Sequence, residues 1–224
     1  IVVPRDVSKA KLEKIKSFNV DIVMEGGYDE VEGYARKLAR TTGKTYISPY
    51  NDPSVIIGQG TLGLEVVEDL KDFDFIIVPV GGGGLISGIA AAVKKLLPKS
   101  QVIGVQTHGS STMYQSWKAG KIVAVKETDT LAEAFLGGVE KGSITFDIVR
   151  VLLDDFVIVS ETTVSNAIRI LWREHEQVVE GAGATSISPI LDSPERFNGK
   201  RVVAVVSGGN IEHSLFKSII DKQP

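Results

Sequence analysis

Apolar and polar residues follow two different periods along this chain, and the two periods alternate. Near-continuous β-branched and aromatic runs at 73–80 (FDFIIVPV), 102–106 (VIGVQ), 156–159 (FVIV) and 202–206 (VVAVV) predict strands buried on both faces. Shorter strands are expected at 2–3, 21–24 and 46–47. Segments with apolar positions three or four apart predict helices at 8–18, 28–40, 59–70, 85–97, 112–119, 160–176, 182–191 and 211–221. Leu12, Ile15 and Phe18 form the apolar face of the first, and Gly43 is the expected stop of the second. The SPYNDP stretch at 48–53 carries turn chemistry and marks a boundary between a smaller domain, 1–50, and a larger one, 51–224. Strands alternating with helices predict an α/β fold: a mainly parallel sheet with helices on both faces.

Two of these strands end in glycine. The 73–80 run leads into Gly81, Gly82, Gly83 and Gly84, and a small-residue helix follows. Glycines let the backbone approach a ligand closely, and the first N–H groups of a helix lack intrahelical partners and sit at its positive end. Strand, glycines and helix together make an anion site that needs no cationic side chain. The 202–206 run ends in Ser207-Gly208-Gly209-Asn210. In open α/β sheets ligands bind beyond the carboxyl ends of the strands. If both strands share a sheet, one turn could hold a phosphate while Ser207 offers a hydroxyl to a polar head. The competing role for Ser207 is a helix N-cap.

Composition narrows the classes. Apolar residues are 43% and charged residues 24%, with a net charge of −3 and no basic block, so nucleic acid and anionic membranes are poor partners. The absence of cysteine excludes disulfides and thiolate metal sites, and a reducing, cytoplasmic setting is the default. No apolar run reaches the roughly 20 residues of a membrane span. The chain opens at Ile1-Val2-Val3-Pro4 without a methionine, which suggests a start partway through a larger protein.

Other motifs carry less. Gly58-Gln59-Gly60-Thr61-Leu62-Gly63 matches the dinucleotide pattern GxGxxG, but only Ile56-Ile57 precedes it as strand material, and no acidic ribose binder follows. No Gly-Lys-Ser/Thr follows the tetraglycine, so it is not a Walker loop. His108, His175 and His213 are scattered, and Ser110-Ser111-Thr112 reads as a helix cap rather than a nucleophile.

Taken together, VPVGGGGLISG, the strand into SGGN, VIIGQGTLGLE and VVEGAGA resemble the fold-type II pyridoxal-phosphate enzymes, above all the threonine and serine ammonia-lyases (dehydratases) and their serine racemase relatives. The resemblance runs from IVVP to SGGN. It implies a tryptophan-synthase-β-like large domain and the latter part of a small mobile domain. It implies a phosphate cup at Gly81, Gly82, Gly83, Gly84 and Leu85, a hydrogen bond from Ser207, next to Gly208, to the pyridine nitrogen, Glu180 near the ring, and Gly138 packed beside it. A homodimer or homotetramer is implied as well. A neutral hydroxyl at the ring nitrogen makes the ring a weaker electron sink than a carboxylate would. That favours loss of the Cα proton coupled to departure of a β-hydroxyl, giving a 2-oxo acid and ammonia.

The chain also departs from the family. The Ser-Phe-Lys-x-Arg-Gly-Ala motif with the Schiff-base lysine and the Ser-Gly-Asn-His loop that grips the substrate carboxylate are missing; both normally precede IVVP. Lys9, Lys11, Lys14 and Lys16 lie on a polar helix face and are poor substitutes. Where racemases and some dehydratases of the family hold a divalent cation with acidic residues, this chain has Gln106 and Thr112. That tilts the reading from racemase toward ammonia-lyase. A non-catalytic module that binds pyridoxal phosphate or another phosphate at Gly81 to Gly84, without covalent chemistry, is the alternative from a different class.

Overall fold

A computed structural model of the chain describes every residue except 6, 8, 28, 29 and 222–224. The expected helix starts at Ser8 and Tyr28 therefore lie outside the described residues. The chain divides into two compact units, Ile1–Ser48 and Pro49–Pro224.

In the first unit, β1 (Val2–Val3) pairs in parallel with β2 (Val23–Met24), matching Val2 to Val23. Helix α1 (Lys9–Lys16) connects them, and α2 (Val31–Thr42) follows. Gly43 ends α2 with φ at 70°. The short strand expected at 46–47 is absent. Ile47 there is 71% exposed, and among the described residues no neighbouring strand offers the pairing a strand needs.

The second unit begins with α3 (Pro53–Leu70), several residues earlier than its apolar pattern suggests. The SPYNDP stretch is a start signal as much as a turn. The Asp52 side chain accepts the N–H groups of Ser54 and Val55, and Pro53 occupies the first helical position. Then come β3 (Phe75–Pro79), α4 (Gly84–Leu96), β4 (Gln101–Thr107) and α5 (Thr112–Ala119). A 3-10 turn at Glu133–Phe135 precedes α6 (Ile144–Leu152), a helix the hydrophobic pattern does not bring out, and β5 (Asp155–Val159). The run continues with α7 (Glu161–His175), α8 (Gly181–Ala184), α9 (Ser188–Asp192), α10 (Pro194–Phe197), β6 (Val202–Ala204) and α11 (His213–Ile220). The single helix expected at 182–191 is thus two short ones, separated by a tight turn ahead of Pro189.

The sheet has four parallel strands in the order β5-β4-β3-β6. Side chains alternate across it, as strand geometry requires. Ile76, Val78 and Val102 pack with α4, α5 and α6 on one face through Ile89, Val93, Met113 and Val149. Phe75, Ile77, Ile103 and Val105 pack with α7, α10 and α11 on the other through Ile168, Phe197 and Phe216. Both faces are covered, which is why the strands read as unbroken apolar runs.

The GxGxxG stretch lies inside α3 and serves packing. A Cβ on Gly60 would lie 3.2 Å from the Gly88 carbonyl oxygen of α4, and one on Gly63 would lie 3.1 Å from Ile89 Cα. A Cβ on Gly88 would run into the Ile56 carbonyl oxygen. The glycines let two helix backbones touch. Among the described residues no helix is long and apolar enough to cross a membrane.

Candidate functional site

The strand order locates a crevice. From β3 the chain winds to β4 and β5 in one direction, and β6 then adds to the other side of β3. Ligand sites of open parallel sheets form at such a reversal, beyond the carboxyl ends of the strands. The tetraglycine follows β3 and SGGN follows β6. Ile77 pairs with Ala204, and Val205 N–H donates to the Ile77 carbonyl at 3.0 Å. Both glycine-rich turns therefore follow the same ends of two paired parallel strands.

Gly81 to Gly84 turn sharply out of the sheet. Gly83 caps α4 with φ at 88°, a left-handed conformation natural to glycine. Among the described residues, the N–H groups of Gly81, Gly82, Gly83, Gly84 and Leu85 donate to no protein acceptor. Five donors are thus available at the positive end of a 13-residue helix.

The loop is braced from behind. The Tyr50 ring lies against the Cα of Gly82, and a Cβ on Gly84 would come 2.9 Å from Tyr50 Cα. The Tyr50 hydroxyl accepts the Glu140 N–H at 3.2 Å. Asn51 spans the same region, donating from Nδ2 to Glu140 Oε1 at 2.5 Å and accepting the Ile144 N–H at 2.9 Å. Thr145 Oγ1 donates to the Gly82 carbonyl at 2.6 Å.

The crevice floor comes from the 130–138 segment and α8. Glu161 accepts from Thr130 Oγ1 and from the Leu131 N–H, both at 2.7 Å, which fixes the start of this segment. A Cβ on Gly81 would meet the Ala134 carbonyl at 3.0 Å, and one on Gly181 would strike the Leu131 carbonyl. Ala132, Phe135 and Ala182 form a small apolar cluster there. Gly183 lies against Gly208, where a Cβ would be 2.6 Å from the Gly208 carbonyl oxygen. The Glu180 carboxylate sits directly over Gly208, and the Glu180 N–H donates to the Gly208 carbonyl at 3.1 Å.

Gly81, the 130–138 segment, α8 and Gly208 form a chain of neighbouring contacts. The tetraglycine touches the 130–138 segment, that segment touches α8, and α8 touches SGGN. Gly138 lies near Thr112, with φ at 68° as the reason for glycine there. Ser207 is exposed, and α11 starts only at His213, so Ser207 is not the cap of that helix. The cap assigned to Ser110-Ser111-Thr112 differs in detail. Ser111 holds the N-cap position without a side-chain cap bond. Gln106 of β4 accepts the Tyr114 N–H at 2.8 Å and satisfies the first turn of α5 instead. Tyr50, Asn51, Ser143 and Thr145 carry no local signature, and sequence reasoning missed them.

These arrangements match proteins already known. The family model of pyridoxal-phosphate dependent enzymes matches residues 1–208. The chain belongs to this family. An L-threonine ammonia-lyase of Thermotoga maritima is 40% identical over 224 residues, covering 99% of this chain and 55% of the relative. A catabolic L-threonine dehydratase of Escherichia coli is 37% identical over 222 residues, covering 98% of this chain and 67% of the relative. The structure of threonine deaminase isoform 2 from Solanum lycopersicum superposes with a TM-score of 0.88 at 33% identity, covering 98% of this chain and 61% of that one. Maize serine racemase gives a TM-score of 0.88 at 31% identity, covering 98% and 68%. The chain therefore spans little more than half the length of the Thermotoga relative.

The family's cofactor is pyridoxal phosphate, and the site fits it. The uncommitted N–H donors suit a phosphate, and the exposed Ser207 hydroxyl at the neighbouring strand end suits a ring nitrogen. Gln106 Oε1 is committed to Tyr114, Thr112 offers only a neutral hydroxyl, and among the described residues no group of three or more His, Asp or Glu side chains gathers.

Proposed function

We propose that this chain is the cofactor-holding portion of an L-threonine/L-serine ammonia-lyase, which eliminates water from the amino acid and releases a 2-oxo acid and ammonia. The observation that carries the reading is a pair of glycine-rich turns at the same ends of two paired parallel strands, with five uncommitted N–H donors on one and the exposed Ser207 hydroxyl on the other. Relatives named threonine ammonia-lyase and threonine dehydratase support it.

When bound, pyridoxal phosphate supplies the electron sink that weakens the Cα–H bond of the amino acid. The residues of this chain anchor and tune it. Gly81, Gly82, Gly83, Gly84 and Leu85 hold the phosphate through backbone N–H groups. Ser207 Oγ, beside Gly208, would offer a neutral hydroxyl to the ring nitrogen, which makes the ring a weaker electron sink than a carboxylate would. Glu180 and Gly138 are the residues that would lie beside the ring. The family motifs with the cofactor-bonding lysine and the substrate-carboxylate loop do not occur in these 224 residues. Residues 1–50 form part of a smaller domain, 51–224 the cofactor domain, and the protein works as a homodimer or homotetramer in the cytoplasm.

Racemisation is the second reading, favoured by the likeness to serine racemases. The neutral Gln106 and Thr112, where family racemases carry acids, weigh against it. The complete protein, supplied with pyridoxal phosphate and L-threonine or L-serine, separates these readings. Equimolar 2-oxo acid and ammonia support the lyase. Inversion of serine without 2-oxo acid selects the racemase. Neither product, with no borohydride-trapped lysine adduct, overturns both in favour of a non-catalytic binding module.

A further inference from the structure

We propose that Thr145 sets the peptide plane that aims the Gly83 N–H into the cup, and that Ser143 holds Thr145 in this role. The inference rests on the phosphate reading of the tetraglycine.

Thr145 is fully buried at the start of α6, and its Oγ1 contacts two groups. One is the Gly82 carbonyl oxygen at 2.6 Å, and the other is Ser143 Oγ at 2.7 Å. A carbonyl can only accept, so the single hydroxyl proton of Thr145 goes to Gly82. Ser143 must then be the donor to Thr145. The result is a directed chain: Ser143 O–H to Thr145 Oγ1, then Thr145 O–H to the Gly82 carbonyl.

Every peptide bond described is trans, so the Gly82 C=O and the Gly83 N–H point in opposite directions from one rigid plane. Pulling the carbonyl toward Thr145 pushes the Gly83 N–H the other way, away from α6. With glycine on both sides of this plane, nothing else in the local chain fixes its rotation. Without this bond the plane would keep more of its rotational freedom, and ordering it when an anion binds would cost affinity. Thr145 removes that cost in advance. The two hydroxyls also polarise one another in a buried setting, which strengthens the bond that holds the plane.

The role predicts an effect on the phosphate group and not on the ring. Equilibrium titration calorimetry of the protein with pyridoxal phosphate and with unphosphorylated pyridoxal reads this separately. Wild type binds the phosphorylated form more tightly. Thr145→Val keeps the shape and removes the hydroxyl, and should cut that preference about tenfold, with pyridoxal affinity changed less than about twofold. Thr145→Ser should restore the preference to within about threefold of wild type, and Ser143→Ala should lower it about threefold. Ser143→Ala carries the test if Thr145→Val does not fold. An unchanged preference in Thr145→Val, or equal weakening of both ligands, overturns the proposal and reduces Thr145 to a structural contact. Absence of any preference in wild type is a separate result, read before any variant. It overturns the phosphate reading itself, and this inference with it.

Discussion

Gly82 and Gly83 are glycines for different reasons. At Gly82 the Tyr50 ring occupies the space any side chain would take. At Gly83 the backbone is left-handed, with φ at 88°, and Met113 Cε and Thr145 crowd the Cα. The side chains that crowd the two glycines are not local. Tyr50 and Thr145 lie tens of residues away in sequence, so the tetraglycine reads as an anion loop from its own residues while its bracing does not. Ser207 stands out for the opposite reason, because a hydroxyl ahead of Gly208-Gly209 at a strand end is a local pattern. On its proposed role, Ser207→Ala removes one hydrogen bond of about 1 kcal/mol and should weaken pyridoxal phosphate about fivefold without changing the melting temperature. Fluorescence titration against the variant checks this, and an unaltered affinity removes Ser207 from the ring nitrogen.

At the scale of elements, α3 and α4 show how a motif can mislead. Gly58, Gly60 and Gly63 spell a dinucleotide fingerprint, yet they sit within one helix, and Gly60 and Gly63 face Gly88 and Ile89 of α4. The same pair of helices predicts opposite effects for two substitutions. Gly58 is exposed, and a Cβ added there would meet nothing within 4 Å, so Gly58→Ala should stabilise by about 0.5–1 kcal/mol through helix propensity. At Gly88 the obstructing atoms are the backbone of Ile56 and Gly60, which cannot swing aside. Gly88→Ala should therefore cost about 3 kcal/mol, a fall in Tm of roughly 6–12 °C for a chain of this size. Thermal melts of the two variants check the sign as well as the size. Helix α6 escaped the sequence reading because its nine residues follow a glycine-rich loop and present a short apolar stripe, Phe146 and Val149. The break between α8 and α9 escaped because small residues run through it without a glycine stop.

For the whole molecule, the reversal of strand order between β3 and β6 makes the crevice, and the pairing of those two strands holds it. The four strands were legible because both faces of the sheet are covered, while their order was not, since order is settled by which edges meet after folding. Asp74 helps pin the entry of β3 to that of β6. Its carboxylate accepts the Arg201 N–H at 2.9 Å and pairs with Lys200 at 3.3 Å. The bond from the Arg201 N–H, with a smaller contribution from Lys200, holds the Asp74 carboxyl below the usual aspartate range, against an opposing desolvation effect. A lowered folded-state pKa gives stability that is present above the unfolded pKa and lost as pH falls through the folded one. Asp74→Ala should thus lower Tm at neutral pH, and the gap to wild type should close as pH drops below the ordinary aspartate range. A pH-independent gap contradicts this.

The most direct measurement of the central claim is a phosphorus-31 NMR titration of pyridoxal phosphate with the protein, run beside Gly82→Ala. Wild type should give a shifted, broadened resonance of bound phosphate that reverts toward the free position in Gly82→Ala, because the added methyl displaces Tyr50 and the loop it braces. A resonance that stays at its free position with wild type, or that shifts equally with Gly82→Ala, would contradict a phosphate cup at Gly81 to Gly84.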